Sequence, residues 1–495
     1  MSAQPVVMNS SDLLYQCVRG VVRFWLWFFF RRVEVKHAER VPLGGPVLLA
    51  INHPNNLIDT LLVGAVIPRK VHYLATATLF RNPLLARFLS GTGVIPIHRR
   101  QDQPTGEVEE EKPSGLTPPE KTLDRNTGAF EACHRVFERG GVIGIYPEGT
   151  THAEPRVQRI KTGAARIALE CEARHDGQLH LRLIPVGLSF EFRKSFRGRV
   201  RVSFGESIPL DPFLAMYRES PWKAVDQLTT AIQEAMEAHV IHVSRMGLAR
   251  LIKDVEEIFR SALIKQLIEE RKLSRNEIDT FRLSRTVVEA VHYFHEHDPE
   301  RVQEIAAKIE HYKDELARLK LRDTAIARGP SRGRALDTGG VKGPGARAKI
   351  RNLSLTGMGV FGFPVFAYGA LTNGLPYLVP RWLSHRLARK ETDYATTRLL
   401  ASVVAFPVFY ALEIYVVWRW LGSVAAMLFA LSLPATGLVA YRYLHGVGRL
   451  RQRLTVFRQA LAQRQALSQL IAERQLILST LEQAKNDFLK STRGA

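Results

Sequence analysis

His53 and Asp59, six positions apart, are the residues best placed by type and spacing to do chemistry. The segment reads Asn52-His53-Pro54-Asn55-Asn56-Leu57-Ile58-Asp59 and follows the apolar run 46–51 (PVLLAI). An aliphatic run that stops at Asn-His and then meets a proline at a first helical position predicts a buried strand delivering the histidine into a strand-to-helix turn. Imidazole titrates near neutrality, and a carboxylate folded back onto it orients the ring, so the pair suits general-base catalysis. A histidine before a helix also serves as a simple cap or packing residue, and other segments must decide between the two.

Three further segments carry residues suited to ligands. Residues 93–100 (GVIPIHRR) form a short strand ending at Arg99 and Arg100, and an arginine fork suits bidentate recognition of phosphate. By itself this is weak, because strand ends often carry solvated arginines. Residues 141–152 (GVIGIYPEGTTH) run a buried strand into Pro147-Glu148-Gly149, and Lys161-Thr162-Gly163 then opens a helix whose free N–H groups and lysine could hold an anion. The Gly-Lys-Ser/Thr of a nucleotide-binding loop is absent. Residues 182–188 (RLIPVGL) form another buried strand, with Pro185 and Gly187 allowing close backbone approach.

The elements that must position these groups follow from the pattern. Between 34 and 215, strand candidates at 46–51, 71–75, 93–97, 142–146, 182–188 and 199–204 alternate with helices near 56–66, 79–90, 127–139 and 161–173, the signature of an α/β domain. Residues 101–126 are acidic, rich in Pro and Gly and without apolar periodicity, so they are expected as a disordered surface insertion. Ahead of the domain, residues 1–33 hold an aromatic-rich helix interrupted by Arg19 and Arg23. It reads either as an interfacial helix or as one buried against the domain.

Residues 216–323 are helical by pattern, and His295 and His297 there read as part of a solvated face. Residues 324–350 are a basic Gly/Pro/Arg linker able to lie on anionic lipid. Residues 351–445 hold the membrane segments: 353–380 contains no Asp, Glu, Lys or Arg, and a second apolar pair follows at 401–418 and 421–441. A re-entrant hairpin over 353–380 and a helical hairpin over 401–441 would leave every basic cluster on the cytosolic side. Residues 446–495 form an amphipathic helix; its register along 449–490 breaks at Arg464 and Arg474, which suits a partner or membrane surface better than a long coiled coil.

Charge narrows the function class. The chain has 69 Lys and Arg against 48 Asp and Glu, a net charge of +21, which calls for a polyanionic partner. The apolar segments favour anionic membrane lipid, and the lack of a groove-reading motif argues against nucleic acid. The three cysteines, Cys17, Cys133 and Cys171, have no metal-ligand spacing, and no metal site is expected. The amino terminus lacks a secretory pattern, which predicts a cytosol-facing catalytic part.

Taken together, Asn-His-Pro-Asn with its downstream Asp, Gly-x-Ile-Pro-Ile-x-Arg, Tyr-Pro-Glu-Gly-Thr with a following Lys-x-Gly, and Ile-Pro-Val-Gly-Leu resemble the four blocks of the glycerolipid acyltransferase family. The likeness covers 45–210 and is similar to the glycerol-3-phosphate/dihydroxyacetone-phosphate branch. It implies an α/β acyltransferase domain followed by a helical region, hydrophobic membrane segments and a C-terminal amphipathic helix.

By resemblance, His53 is the base and Asp59 its orienting partner, and Arg99 binds the acceptor phosphate. Glu148 and Gly149 shape the acceptor pocket, Lys161 is a further phosphate ligand and Pro185 lines the acyl-donor side. The implied co-substrate is acyl-CoA or acyl-carrier protein, with no cofactor. The implied acceptor is glycerol 3-phosphate, or alternatively 1-acylglycerol 3-phosphate; a degenerate membrane scaffold is the non-enzyme alternative.

Two departures stand out. Five residues separate His53 from Asp59, one more than in the family's commonest first block. Thr151-His152 stands where many members have Arg-Ser, so either Arg156 or Arg159 replaces the missing arginine or the acceptor differs.

Overall fold

The computed structural model describes residues 10–98, 120–152, 154–191, 197–243, 245–272, 278–319, 321, 323–327, 362–388, 393–462 and 464–493. The chain divides into two compact units, the first running to His242 and taking in Leu383–Ala401, the second comprising Val243–Trp382 and the residues from Ser402 onward.

In the first unit the order is α1 (Ser10–Phe29), β1 (Arg32–Lys36), β2 (Val47–Ile51), α2 (Leu57–Val66), β3 (Val71–Thr76), α3 (Pro83–Thr92) and β4 (Ile95–Ile97). It continues through α4 (Glu120–Glu138), β5 (Val142–Ile145), α5 (Gly163–Arg174), β6 (Arg182–Phe190), β7 (Arg199–Phe204), α6 (Asp211–Glu219) and α7 (Pro221–Glu237). The seven strands form one sheet in the order β1-β7-β6-β2-β5-β3-β4. β6 and β7 pair antiparallel and every other neighbouring pair is parallel.

The aliphatic run that reads as β2 is buried on both faces, as a central parallel strand must be. Val47, Leu49 and Ile51 pack with Leu26 and Phe29 of α1 and with Ile58 and Leu62 of α2. Leu48 and Ala50 face Phe137 of α4, Ala165 and Leu169 of α5, and Leu228 and Ile232 of α7. α7 thus belongs to this core, which extends the unit beyond the α/β pattern ending near 215.

β2 connects through α2 to β3, beyond β5, while β5 connects through α5 to β6, beyond β2. With α2 and α5 on opposite faces, the carboxyl ends of β2 and β5 border a topological switch point, the place where open α/β sheets hold ligands.

Two readings change here. The aromatic helix ends at Phe29, and Arg32 already begins the edge strand β1, a short Val-containing run between charges that carries too little apolar periodicity to announce itself. One face of α1 packs against the domain, with Leu26 and Phe29 buried, while Val21, Phe24 and Trp27 on the helix are exposed. α4 begins at Glu120, inside the stretch read as insertion; 99–119 lie outside the described residues.

The second unit contains α8 (Ala249–Arg271), α9 (Thr280–His297), α10 (Pro299–Arg318), the short α11 (Asp323–Ile326) and α14 (Arg464–Arg493). Between α11 and α14 come α12 (Gly362–Leu387) and α13 (Asp393–Ala462), which also contribute residues to the first unit. Ile258 and Phe259 of α8, Ile309 and Tyr312 of α10, and Leu470, Ile477 and Leu481 of α14 form its core. Those α14 residues, read in sequence as a surface for a partner or membrane, are already buried. Arg474, where the heptad breaks, is placed by a buried carboxylate: its Nε donates to Asp323 Oδ1 at 2.6 Å, which also accepts from Tyr312 Oη at 3.0 Å.

Among the described residues of 353–380 the re-entrant hairpin is not formed. α12 runs as one helix through Asn373, Pro376 and Pro380. α13 contains one break, Gly422, at φ 85° and ψ 177°. Tyr410 Oη donates to Asn373 Oδ1 at 2.5 Å, and a Cβ on Gly437 would come 2.5 Å from the same oxygen. A straight helix would separate Tyr410 from Gly437 by about 40 Å at 1.5 Å per residue. The two limbs therefore fold back on each other at Gly422, a positive-φ position glycine takes without strain. Thr396–Leu444 is the one stretch among the described residues long and apolar enough to cross a membrane.

Candidate active site

β2 ends at Ile51, and Asn52 prolongs its pairing with β6 through its side chain. Its amide donates to Leu188 O at 3.1 Å, and its Oδ1 accepts from Leu188 N at 2.7 Å. The N–H and C=O of Leu188 in β6 are thereby satisfied without further extended backbone from β2, so the chain can turn at once.

His53 is the next residue, with its side chain 16 % exposed. Its Nδ1 lies 2.9 Å from Asp59 Oδ2, and the Asp59 side chain is fully buried in the first turn of α2. An ionised carboxylate only accepts, so Nδ1 carries the proton and Nε2 keeps a free lone pair. Asp59 Oδ2 also accepts from Asn55 N at 2.7 Å, and the helix N-terminus favours its charge.

Within the five residues between His53 and Asp59, Asn56 stands at φ 53° and ψ −132° immediately before α2. Asn56 is held there by a bond from its Nδ2 to Asp393 Oδ1 at 2.9 Å.

Tyr146, which follows β5, closes one face of the imidazole: the two rings stack with centroids 3.9 Å apart and planes 18° from parallel. Its hydroxyl is 2.9 Å from Thr60 Oγ1, and Tyr73 Oη donates to Thr60 O at 3.0 Å. Burial, and secondarily the charge of Asp59, pushes the Tyr146 phenol well up, so it stays neutral beside the histidine.

Glu148 is also fully buried, and each of its oxygens is engaged by the protein. Oε1 accepts from His53 N at 2.8 Å; Oε2 accepts from Gln158 N at 2.9 Å and makes a short contact with His152 Nε2. The carboxylate thus ties the turn after β2 to the loop after β5 across the switch point. His152, which the sequence presents only as a departure from the family, is its partner.

Gly149 stands at φ 71°, and a Cβ there would come 2.9 Å from Lys161 Nζ. The Lys161 chain crosses this glycine and its backbone N–H donates to Pro147 O at 2.8 Å, which places an exposed ammonium just before α5. Pro185 lies within β6, in register with Ala50 of β2, and its carbonyl accepts from Gly205 N at 2.7 Å. It shapes the sheet beneath the site.

Arg99 lies outside the described residues. Arg156 is engaged with Glu154 at 2.6 Å, and Arg159 is exposed.

Sequence reasoning missed the part played by Tyr146, although it quoted the residue. It also missed Asp393 and Thr396, which reach the turn from more than 300 positions away, Thr396 Oγ1 donating to Asn55 O at 3.1 Å. The Tyr-Pro-Glu-Gly block was the one available signal for the first; nothing local marks the other two.

Residues 32–189 match the family described as Acyltransferase. The chain is 22 % identical over 388 residues to an uncharacterized acyltransferase of Schizosaccharomyces pombe, covering 64 % of this chain and 56 % of that protein. It is 23 % identical over 332 residues to glycerol-3-phosphate O-acyltransferase 1 of Saccharomyces cerevisiae, covering 52 % of this chain and 43 % of that one. A third similarity, 27 % over 137 residues, is to the 1-acyl-sn-glycerol-3-phosphate acyltransferase of Bacillus subtilis, with shares of 28 % and 56 %. The chain spans about half the length of these curated relatives. The His53–Asp59 pair and the Glu148 loop lie inside the matched segment, so the candidate site belongs to an acyltransferase domain spanning residues 32–189.

Proposed function

We propose that the chain is a membrane-bound O-acyltransferase that moves a fatty acyl group from acyl-CoA, or from acyl-carrier protein, to glycerol 3-phosphate. The observation that carries this reading is the buried Asp59 carboxylate 2.9 Å from His53 Nδ1, which leaves Nε2 as the proton acceptor. The acceptor hydroxyl oxygen attacks the thioester carbonyl carbon as its proton passes to Nε2. The C–S bond then breaks, and the departing thiolate takes the proton from the imidazolium. Ester and thiol are the products, and no covalent enzyme intermediate forms. Asp59 stabilises the imidazolium while it exists.

Lys161 and the N–H groups opening α5 supply positive charge for the acceptor phosphate, with Arg99 as a further ligand. Glu148 and Gly149 act on the acceptor pocket from beneath, one by fixing the His53 backbone and the other by letting the Lys161 chain pass. Pro185 contributes to the donor side through the β6 backbone. The apolar Thr396–Leu444 stretch and the charge of +21 support attachment to an anionic membrane, with the catalytic domain on the cytosolic side.

A second reading, acylation of 1-acylglycerol 3-phosphate, is favoured by the similarity to the Bacillus subtilis protein. Incubating the purified full chain with labelled acyl-CoA and each acceptor in turn separates them. Acylation of glycerol 3-phosphate is the expected result; turnover with the 1-acyl acceptor alone selects the second reading, and turnover with neither sinks both.

A further inference from the structure

The turn joining His53 to Asp59 is held by residues far outside its own sequence. Asn56 occupies a conformation that glycine takes freely and other residues rarely. Its side chain donates to Asp393 Oδ1 at 2.9 Å, and the preceding carbonyl, Asn55 O, accepts from Thr396 Oγ1 at 3.1 Å. Within the turn, Asn55 N donates to Asp59 Oδ2 and Asp59 N donates to Asn56 O, so the external bonds complete a set that fixes this two-residue bridge. Asn55 is 1 % exposed, which makes each bond costly to lose. The segment carrying the two residues is itself anchored: Leu399 is 2 % exposed and sits in the core formed with α1 and α2.

We propose that Asp393 and Thr396, at the head of α13, are positioning residues of the active site. They clamp the Asn55-Asn56 turn in a conformation it does not hold alone, and so keep Asp59 against His53. The need for this clamp comes from the positive-φ position in the turn, which is occupied by Asn rather than glycine. The proposal rests on His53 and Asp59 being the base pair of acyl transfer.

The test uses the full chain in one detergent or vesicle system, with kcat, both KM values and the thermal midpoint measured for each variant. Asp393→Ala and Thr396→Val are each expected to lower kcat about tenfold, the size of a lost hydrogen bond at a buried site, with KM values within about twofold. Asp393→Asn, whose Oδ1 still accepts from Asn56, restores most of kcat. A purely structural contact would lower the thermal midpoint without this kcat-selective pattern. Asn56→Gly, which takes the turn unaided, keeps kcat near that of the parent, whereas Asn56→Ala, which loses the bond to Asp393 and keeps the strained φ, lowers it about as far as Asp393→Ala does.

An unchanged kcat in Asp393→Ala overturns the clamp, as does an Asp393→Asn variant no better than alanine or an Asn56→Gly variant as slow as Asn56→Ala. If Asp393→Ala fails to fold, Thr396→Val and the contrast between Asn56→Gly and Asn56→Ala decide on their own. His53→Ala in the same series separates the two levels: turnover retained there overturns the base assignment itself. A dead His53→Ala beside an unaffected Asp393→Ala overturns only the clamp.

Discussion

The imidazole of His53 is fixed by four groups of different origin: Asp59 at Nδ1, Tyr146 on one face, Glu148 at the backbone N–H and Asn52 at the strand end. The first was legible in the sequence because partner and histidine are six positions apart and one helical turn brings them together. The Glu148 contact was not, since a carboxylate between Pro and Gly looks the same whether it faces a ligand or a backbone N–H 95 positions away. At this scale, His53→Ala is expected to reduce turnover by about 10² to 10⁴ while leaving membrane association intact, checked by initial rates and by co-sedimentation with vesicles. Gly149→Ala is expected to cost about 1–2 kcal/mol from its left-handed φ alone, and more where the Cβ meets the Lys161 chain. A thermal midpoint equal to that of the parent would refute this strain.

Among the elements, buried strands read easily because an aliphatic run with both faces covered has no polar alternation to confuse it, as in β2 and β5. β1 did not, because an edge strand of alternating charge and valine resembles the tail of the preceding helix. The re-entrant hairpin expected over 353–380 from the placement of basic clusters does not appear among the described residues, where α12 keeps Pro376 and Pro380 within one helix, as an apolar helix can when neighbouring groups satisfy the freed backbone. The break of register at Arg474 had a partner that no local pattern could supply, Asp323, with the two side chains 11 % and 5 % exposed. Arg474→Met leaves that carboxylate buried without its cation, and a loss of about 3–5 kcal/mol is expected in denaturant unfolding of the full chain. The double variant Arg474→Met/Asp323→Asn should recover part of it.

At the level of the whole molecule, the proposed membrane attachment draws on two separable features, the positive charge and the apolar Thr396–Leu444 stretch. Salt high enough to shrink the Debye length to about 3 Å removes the electrostatic share only. The chain is therefore expected to stay in the pellet after a high-salt wash and to leave it with detergent; release by salt alone would exclude insertion of the apolar stretch. A different property of the whole enzyme follows from one ring. With Tyr146 stacked 3.9 Å from the imidazole, one side of the base is shut, so in the proposed direct transfer donor carbonyl and acceptor hydroxyl meet together on the other. The expected steady state follows: both substrates board before either product leaves, and reciprocal plots at several fixed acceptor concentrations intersect, parallel lines counting against direct transfer.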